Sequence, residues 1–370
     1  MVERLHDYTQ DVKDRQALRT TARIFTCLLH GDGEPAGAAE FAQTRRTWAD
    51  RDQIHRIFLA AVTGQTQAGD SSLVGVRVND LLSFIRPLTI VGRLRGLRRV
   101  GFDAALTAMT GGTSASWVGE GKPVPLSKAT FSRLATPLGR LKIAVMAAED
   151  AELLRAADPD GEITIATDFA GACIAAADAA FIDASSGAIA GARPAAVTNG
   201  SPAFSSGGST ALLIDADLGK LIESLLARGS TLEFAHWIVH PITAAFLARL
   251  RNVNGDYAFP GVTVLGGVLM GLPVIVSASV PHIGSPSVTA IYLVDAARIW
   301  LAQDAAMELS LSKVAAVEFQ DAPSNNITTP TATTLVSAFQ TNSVILRGTQ
   351  TCNWKIADPG FASVLNNFVD

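Results

Sequence analysis

The sequence predicts an α+β protein, and three observations carry that expectation. A long alanine-rich stretch, "DPDGEITIATDFAGACIAAADAAFIDASSG", reads as one helix. The segments "RLKIAVMA" and "TNSVILRGTQTCNWKIADP" alternate apolar and polar residues as half-exposed strands do. Between them lies a block that mixes helical and strand-like segments, the pattern of an α+β domain.

At 370 residues the chain is long enough for two modest domains or one elaborated one. Lys and Arg number 30 against 34 Asp and Glu, a net charge of -4, which gives no global signal for wrapping nucleic acid or for an anionic membrane. Cys27, Cys173 and Cys352 are far apart and in no CxxC spacing, which argues against a disulfide framework and a zinc site and for a reducing setting. The opening "MVERLHDYTQDVKDRQ" is charged and lacks the apolar core of a signal peptide.

From Lys13 to His30 the apolar Leu18, Phe25 and Leu29 recur at helical spacing, while Arg15, Arg19 and Arg23 lie four apart on another face. "GDGEPAGAAE" breaks this helix, a second helical stretch runs from about Ala38 to Ala61, and "TGQTQAGDSS" reads as a linker. The region reads equally well as an arm that packs on neighbours or as an ordinary helical subdomain. Next, Arg86, Arg93, Arg95, Arg98 and Arg99 fall close together. They form either a phosphate-binding patch or a set of partners for carboxylates on the same or adjacent chains. No aromatic residue lies between them to stack on bases, which favours the carboxylates.

"GGTSASWVGEGKPVPLSKATF" then sets Trp117, Glu120, Lys122 and Lys128 among small residues and prolines. With "FDAALTAM" before it and "RLKIAVMA" after it, the segment predicts a two-stranded excursion with this stretch at its tip. In the alanine-rich helix Asp160 is the expected N-cap, Gly187 the stop, and Phe169, Cys173, Ala177 and Ala180 one stripe. Beyond the linker "TNGSPAFSSGGST" come a helix, "LLIDADLGKLIESLLARG", a strand, "HWIVH", and a helix opened by proline, "PITAAFLARLRN". "SVTAIYLVD" is a further strand. The uncharged window Val262 to Pro281 is long enough to span a bilayer, but Gly266, Gly267, Gly271 and Pro273 make it a buried hairpin.

Chemistry leaves little local trace. His236 and His240 sit on an expected strand, where residues four apart are separated by about 13 Å and cannot share one metal. No GxSxG elbow is present, and "GGVLMG" lacks the Lys and Ser/Thr of a phosphate loop. Cys173 reads as a buried thiol; Glu149 with Asp150, and Asp215 with Asp217, read as capping or solvated groups. No catalytic residue, metal or cofactor is therefore expected. An enzyme with an unrecognised site would instead need a pocket lined by polar groups.

The pieces "TSASWVGEGKPVPLSKATF", "LKIAVMAAEDAELLRAAD", "WIVHPITAAFLARLRNVNGDYAFP", "LGGVLMGLPVIVSASVP" and "FQTNSVILRGTQTCNWKIADPGF" occur in an order that resembles the major capsid proteins of tailed bacteriophages with the HK97-type fold. The resemblance runs from about Ser71 to Phe361. It implies an N-terminal helical arm over 1–72, the start of a peripheral domain over 73–101 and an E-loop hairpin over 102–145 that extends over a neighbouring subunit. The peripheral domain resumes over 146–210 with its spine helix, an axial domain occupies 211–326, and 327–370 returns to the peripheral sheet. Trp117, Glu120, Lys122 and Lys128 would then be intersubunit contacts, and Arg86, Arg93, Arg95, Arg98 and Arg99 an intersubunit or DNA-facing cluster.

The implied function is that of a non-enzymatic shell subunit. It would assemble in the host cytoplasm into hexamers and pentamers of an icosahedral capsid around packaged double-stranded DNA, bound without sequence specificity. Portal, scaffolding or decoration proteins are the implied partners, with no membrane. An encapsulin-like compartment shell is the alternative. Residues 1–72 are expected to be retained as an arm. Some relatives weld subunits through a lysine–asparagine bond, for which Lys122 or Lys128 with Asn342 or Asn353 are the candidate positions.

Overall fold

The computed structural model describes residues 2–31, 34–68, 76–78, 85–104, 107–111, 114–118, 120, 130–133, 137–150, 159–283, 288–304, 306–318 and 335–369. One strand, Ser343–Ile356, is the axis of a six-stranded sheet. Lys142–Asp150 runs antiparallel to it on one edge, while Ile299–Gln303 and Met307–Ser312 lie end to end along the other. The short strands Val76–Val78 and Arg98–Arg99 close the flanks. The alternation read in "RLKIAVMA" is real: Ile143, Val145 and Ala147 are half-buried, while Lys142, Ala144 and Met146 are exposed.

The spine helix, Pro159–Ile182, packs on the covered face of this sheet. Its Phe169 lies directly over Gly348, where an added Cβ would stand 2.5 Å from the ring and 3.1 Å from Met307 Cε. Gly348 is thus a seat made by the absence of a side chain. Proline opens this helix in place of an Asp160 cap, since a first-turn residue needs no amide proton. The helix stops at Ile182, short of the expected Gly187. There the Asp183 carboxylate accepts from the Ser185 amide at 3.0 Å and from the Ser185 and Ser186 hydroxyls at 2.7 and 2.8 Å, which folds the chain into a turn.

The helices Val2–His30, Pro35–Thr44 and Arg51–Ala68 complete the same core. Leu18, Ile24, Phe25, Leu28, Ile54 and Phe58 are buried with Phe169, Met307, Leu309 and Leu346. Residues 18–61 are therefore folded helix by helix onto the sheet of their own chain. The single helix expected from Ala38 to Ala61 is two. Between them Asp50 turns inward, accepting from Thr20 Oγ1 at 2.8 Å and pairing with Arg23. That demand for a distant partner overrides local helical propensity.

The excursion is corrected as well. Thr107–Gly111 pairs antiparallel with Thr130–Arg133, whereas Lys142–Asp150, expected to be its second strand, pairs with Ser343–Ile356. Alternation identifies a strand's buried face but carries no information about its neighbour.

A second sheet has eight strands, in the order Ala203–Ser205, Ala362–Val369, Val288–Asp295, Ala235–Val239, Leu272–Val276, Gly266–Leu269, Val262–Thr263, with His282–Ile283 paired to Val288–Asp295. The uncharged window forms the expected hairpin, turning at Met270 and Gly271 with φ of 49° and 82°. No helix among the described residues is long and apolar enough to cross a membrane. The helix Ala211–Ala227 buries Ile214, Leu218, Leu221 and Leu225 in the same core as Trp237, Ile291, Leu365 and Phe368 of this sheet.

Trp237 is fully buried, and its Nε1 donates to the Leu269 carbonyl at 3.0 Å. Trp237→Phe is expected to cost about 1–3 kcal/mol, because it removes that buried hydrogen bond and the volume of the larger ring. Urea unfolding of the unassembled subunit measures this.

The two sheets meet on the C-terminal half of the spine helix. Phe181 and Ile182 share one core with Leu301, Cys352 and Trp354 of the first sheet and with Ile238, Tyr292, Val294 and Val364 of the second. Sheet membership alternates along the C-terminal part of the chain. Ile299–Gln303 and Met307–Ser312 belong to the six-stranded sheet, and Ala362–Val369 to the eight-stranded one. The reason is topological: the chain crosses between sheets through two short turns, Ala296–Arg298 and Pro359–Phe361, capped by Asp295 and Asp358.

Candidate assembly interface

Beyond the hairpin strands, Ser114 to Val118 and Glu120 are exposed, and the Trp117 indole has no cover from its own chain. Lys122 and Lys128 lie outside the described residues. A tryptophan in that position presents about 150–250 Å² of largely apolar surface, an unfavourable arrangement unless a partner covers it.

A second group of exposed apolar side chains lies on rigid turns of the eight-stranded sheet, and sequence reasoning missed it. Val253 and Leu265 are almost wholly exposed, with Tyr257, Val264 and Val268 half-exposed or more. The turn carrying Val253 is locked: Asn252 Oδ1 accepts from the amides of Asn254 and Asp256 at 3.1 and 3.0 Å, and Arg251 Nη1 donates to the Gly255 carbonyl at 2.6 Å. The readable signal was an apolar residue inside an Asn- and Gly-rich turn, "NVNGD". A third group, Val314, Leu335 and Phe339, flanks the small hairpin of Ala316–Glu318 with Leu335–Ser337.

The structure splits the arginine cluster. Arg93 is half-buried, and its Nη2 donates to the Val276 carbonyl at 2.6 Å beside the buried Asp178. It is an internal tie, beside a carboxylate of its own chain. Burial holds its pKa below the usual arginine range, against the opposing pull of Asp178. Arg95, Arg98 and Arg99 are exposed, and Arg98 lies over the Trp300 ring at 5.9 Å. Arg86 opens the short turn Arg86–Leu88; its side chain lies outside the described residues. Asn353 is buried, with Nδ2 donating to the Gly139 carbonyl at 2.7 Å, while Asn342 adopts φ of 53° in the turn before Ser343.

The histidines perform separate tasks. His236 Nδ1 donates to the Phe234 carbonyl at 2.9 Å and its Nε2 accepts from the Arg95 amide at 3.4 Å; burial lowers its pKa. His240 Nδ1 accepts from the Ile242 amide at 3.2 Å, capping the helix Pro241–Arg249, and its ring stacks on His282 at 4.6 Å. A cleft between spine helix and sheet is lined by Ile85, Val91, Cys173, Leu301, Cys352 and Trp354. Burial pushes the thiols of Cys173 and Cys352 up to about 11 and about 12, so both stay protonated and neither is poised as a nucleophile. Among the described residues no group of three or more His, Cys, Asp or Glu is placed to hold a metal.

Residues 83–366 match the model of the phage capsid family. The capsid polyprotein of Pseudomonas phage PAJU2 is 33% identical over 349 residues, which cover 90% of this chain and 51% of that protein. The chain thus spans about half the length of this curated relative. A solved structure from Gordonia phage Cozz superposes with a TM-score of 0.53 at 17% identity, covering 74% of this chain and 85% of that one. Another, from Mycobacterium phage Ogopogo, gives 0.53 at 17% identity, covering 75% and 91%. At such identities the likeness speaks for the fold alone, but the family match covers most of the chain and agrees with the polyprotein. The chain belongs to the phage capsid family and has the HK97-type α+β fold.

Proposed function

We propose that this chain is a major capsid subunit. It self-assembles through hexamers and pentamers into an icosahedral shell around packaged double-stranded DNA in the host cytoplasm, has no catalytic role, and works with portal, scaffolding or decoration proteins. The observation that carries the reading is Trp117, fully exposed in a chain with a capsid-family fold. In this reading the segment around it is the E-loop, with Trp117 and Glu120 docking on an adjacent subunit. Val253 and Leu265 meet their copies around capsomer centres, and Arg95, Arg98 and Arg99 face carboxylates of a neighbour. Each contact is weak, and repetition around a closed shell makes the sum large.

The test is electron microscopy and size exclusion of the purified chain, with nuclease protection of any enclosed nucleic acid. Closed shells, tubes or capsomer rings are expected. A small oligomer that never assembles across salt and concentration overturns the reading, and protein cargo without protected DNA favours a compartment shell. Trp117→Ala and Glu120→Lys are expected to reduce particle yield at least tenfold while leaving thermal unfolding of the subunit unchanged. Normal particle yield from both variants removes the loop from the interface.

A further inference from the structure

We infer that an arginine-rich corner of the N-terminal helices binds phosphate groups of the enclosed nucleic acid, an inference that rests on the shell reading above. The corner is the loop Arg45 to Asp50 between the second and third helices, flanked by Arg19 and Arg23 on the first helix and by Arg51 and Arg56 on the third. It lies before residue 83, where the family match begins.

Its construction separates structural from available charge. Asp50, the buried acid, is satisfied by Thr20 and Arg23 within the chain. Trp48 is half-buried, with the Arg23 and Arg45 guanidinium groups 5.1 and 5.9 Å from its ring, and Arg45 also lies 4.6 Å over Phe41. A ring face orders a guanidinium without supplying an oxygen acceptor, so the N–H donors of Arg45 remain for a ligand. Arg56 Nε donates to the Asp52 carbonyl and Arg51 Nε to the Asp52 carboxylate, each at 3.1 Å.

With Arg23 and Asp50 cancelling, the described acids closest in sequence to Arg19, Arg45, Arg46, Arg51 and Arg56 are Asp52 and, a turn back, Glu40. That leaves three net positive charges in one corner of a chain whose total is -4. Every basic side chain here except His55 is arginine, whose planar fork matches a phosphate with two donors. The corner offers exposed arginine forks on a short loop between two helix ends, with no side chain there of the Asn or Gln type except Gln43 and Gln53 to pair with base edges. The chemistry it fits is therefore a sequence-independent phosphate backbone held by a few exposed charges, weakly enough to release.

The test uses the full chain and a random-sequence 30-base-pair duplex, with binding followed by fluorescence anisotropy across a sodium chloride series. The same samples are imaged for particles. The wild-type chain is expected to bind with a log–log salt slope of about -3 to -5, at about 0.9 per phosphate contacted. Arg45→Gln/Arg46→Gln/Arg56→Gln is expected to reduce that slope by about 2–3 and low-salt affinity at least tenfold, with particles intact. If the triple variant unfolds at a lower temperature, Arg46→Gln alone, which removes none of the ring stacking, should still flatten the slope by about 0.9.

Intact particles with equal slopes in wild type and variants overturn the inference, as does polyglutamate binding as tightly as the duplex and through the same arginines. Absence of particles from the wild type overturns the shell reading instead, and the anisotropy result on the unassembled chain still decides whether the corner binds phosphate.

Discussion

Phe169→Ala is expected to destabilise the unassembled subunit by about 3–5 kcal/mol, the range for removing a fully enclosed aromatic ring. The side chain is only 2% exposed and joins three parts of the molecule. It projects from the spine helix, lies on Gly348 of the sheet's axial strand, and meets Phe25 of the N-terminal helix edge-on at 5.7 Å. Its loss opens a void where none of the three can close in without disturbing the others. Gly348→Ala attacks the same seat from the other side, since its methyl would stand 2.5 Å from the ring, and should cost about 1–3 kcal/mol by overpacking. The double variant is expected to be more stable than the sum of the two losses, because the new methyl partly fills the void. Urea titration followed by circular dichroism measures all three; an unchanged midpoint for Phe169→Ala refutes the account.

The second large effect concerns Asp178, which is fully buried in the spine helix. Its carboxylate accepts from the Ile90 amide at 2.8 Å and from Ser277 Oγ at 3.1 Å, and faces Arg93. Burial outweighs these three stabilising partners and pushes its pKa up to about 6. The folded chain therefore holds the proton more tightly than the unfolded chain. The stability this confers is fully present below the ordinary carboxylate range near pH 4 and is lost as pH rises through about 6, at up to about 1.4 kcal/mol per pH unit. Glu149, raised by burial and by Asp168, and Asp183, lowered by its serine hydrogen bonds despite its partial burial, titrate in both wild type and Asp178→Asn and cancel in the comparison. The wild-type chain should gain on Asp178→Asn as pH falls from 7 to 4. A difference that stays flat across that window overturns the assignment.

Sequence pattern revealed elements whose signals are local. The helix at Ala211–Ala227, the strand at Ala235–Val239 and the hairpin after Val262 were legible because apolar periodicity and paired glycines define them within a few residues. What escaped was decided by partners distant in sequence. The break between Thr44 and Arg51 depends on Asp50 finding Thr20 and Arg23, and the inward turn of Arg93 depends on Asp178 and Val276. The pairing of Lys142–Asp150 with Ser343–Ile356 instead of the hairpin has the same character. The exposure of Trp117 was legible because an indole among glycines and serines has nothing nearby in sequence to bury it. Val253 and Leu265 were not, since an exposed valine or leucine in a sequence looks like any core residue.

The last two strands also determine when the protein can take shape during its synthesis. Ser343–Ile356 has neighbours on both edges in one sheet, and Ala362–Val369 stands between Ala203–Ser205 and Val288–Asp295 in the other. A nascent chain that has not reached Ser343 leaves both sheets split, with unpaired edges along each gap and the second crossover turn, Pro359–Phe361, still unmade. Long-range closure of this kind is slow, and it postpones the finished architecture until translation has passed Val369. A subunit still on the ribosome lacks the frame that carries its exposed Val253 and Leu265 tips, so their alignment waits for the last two strands.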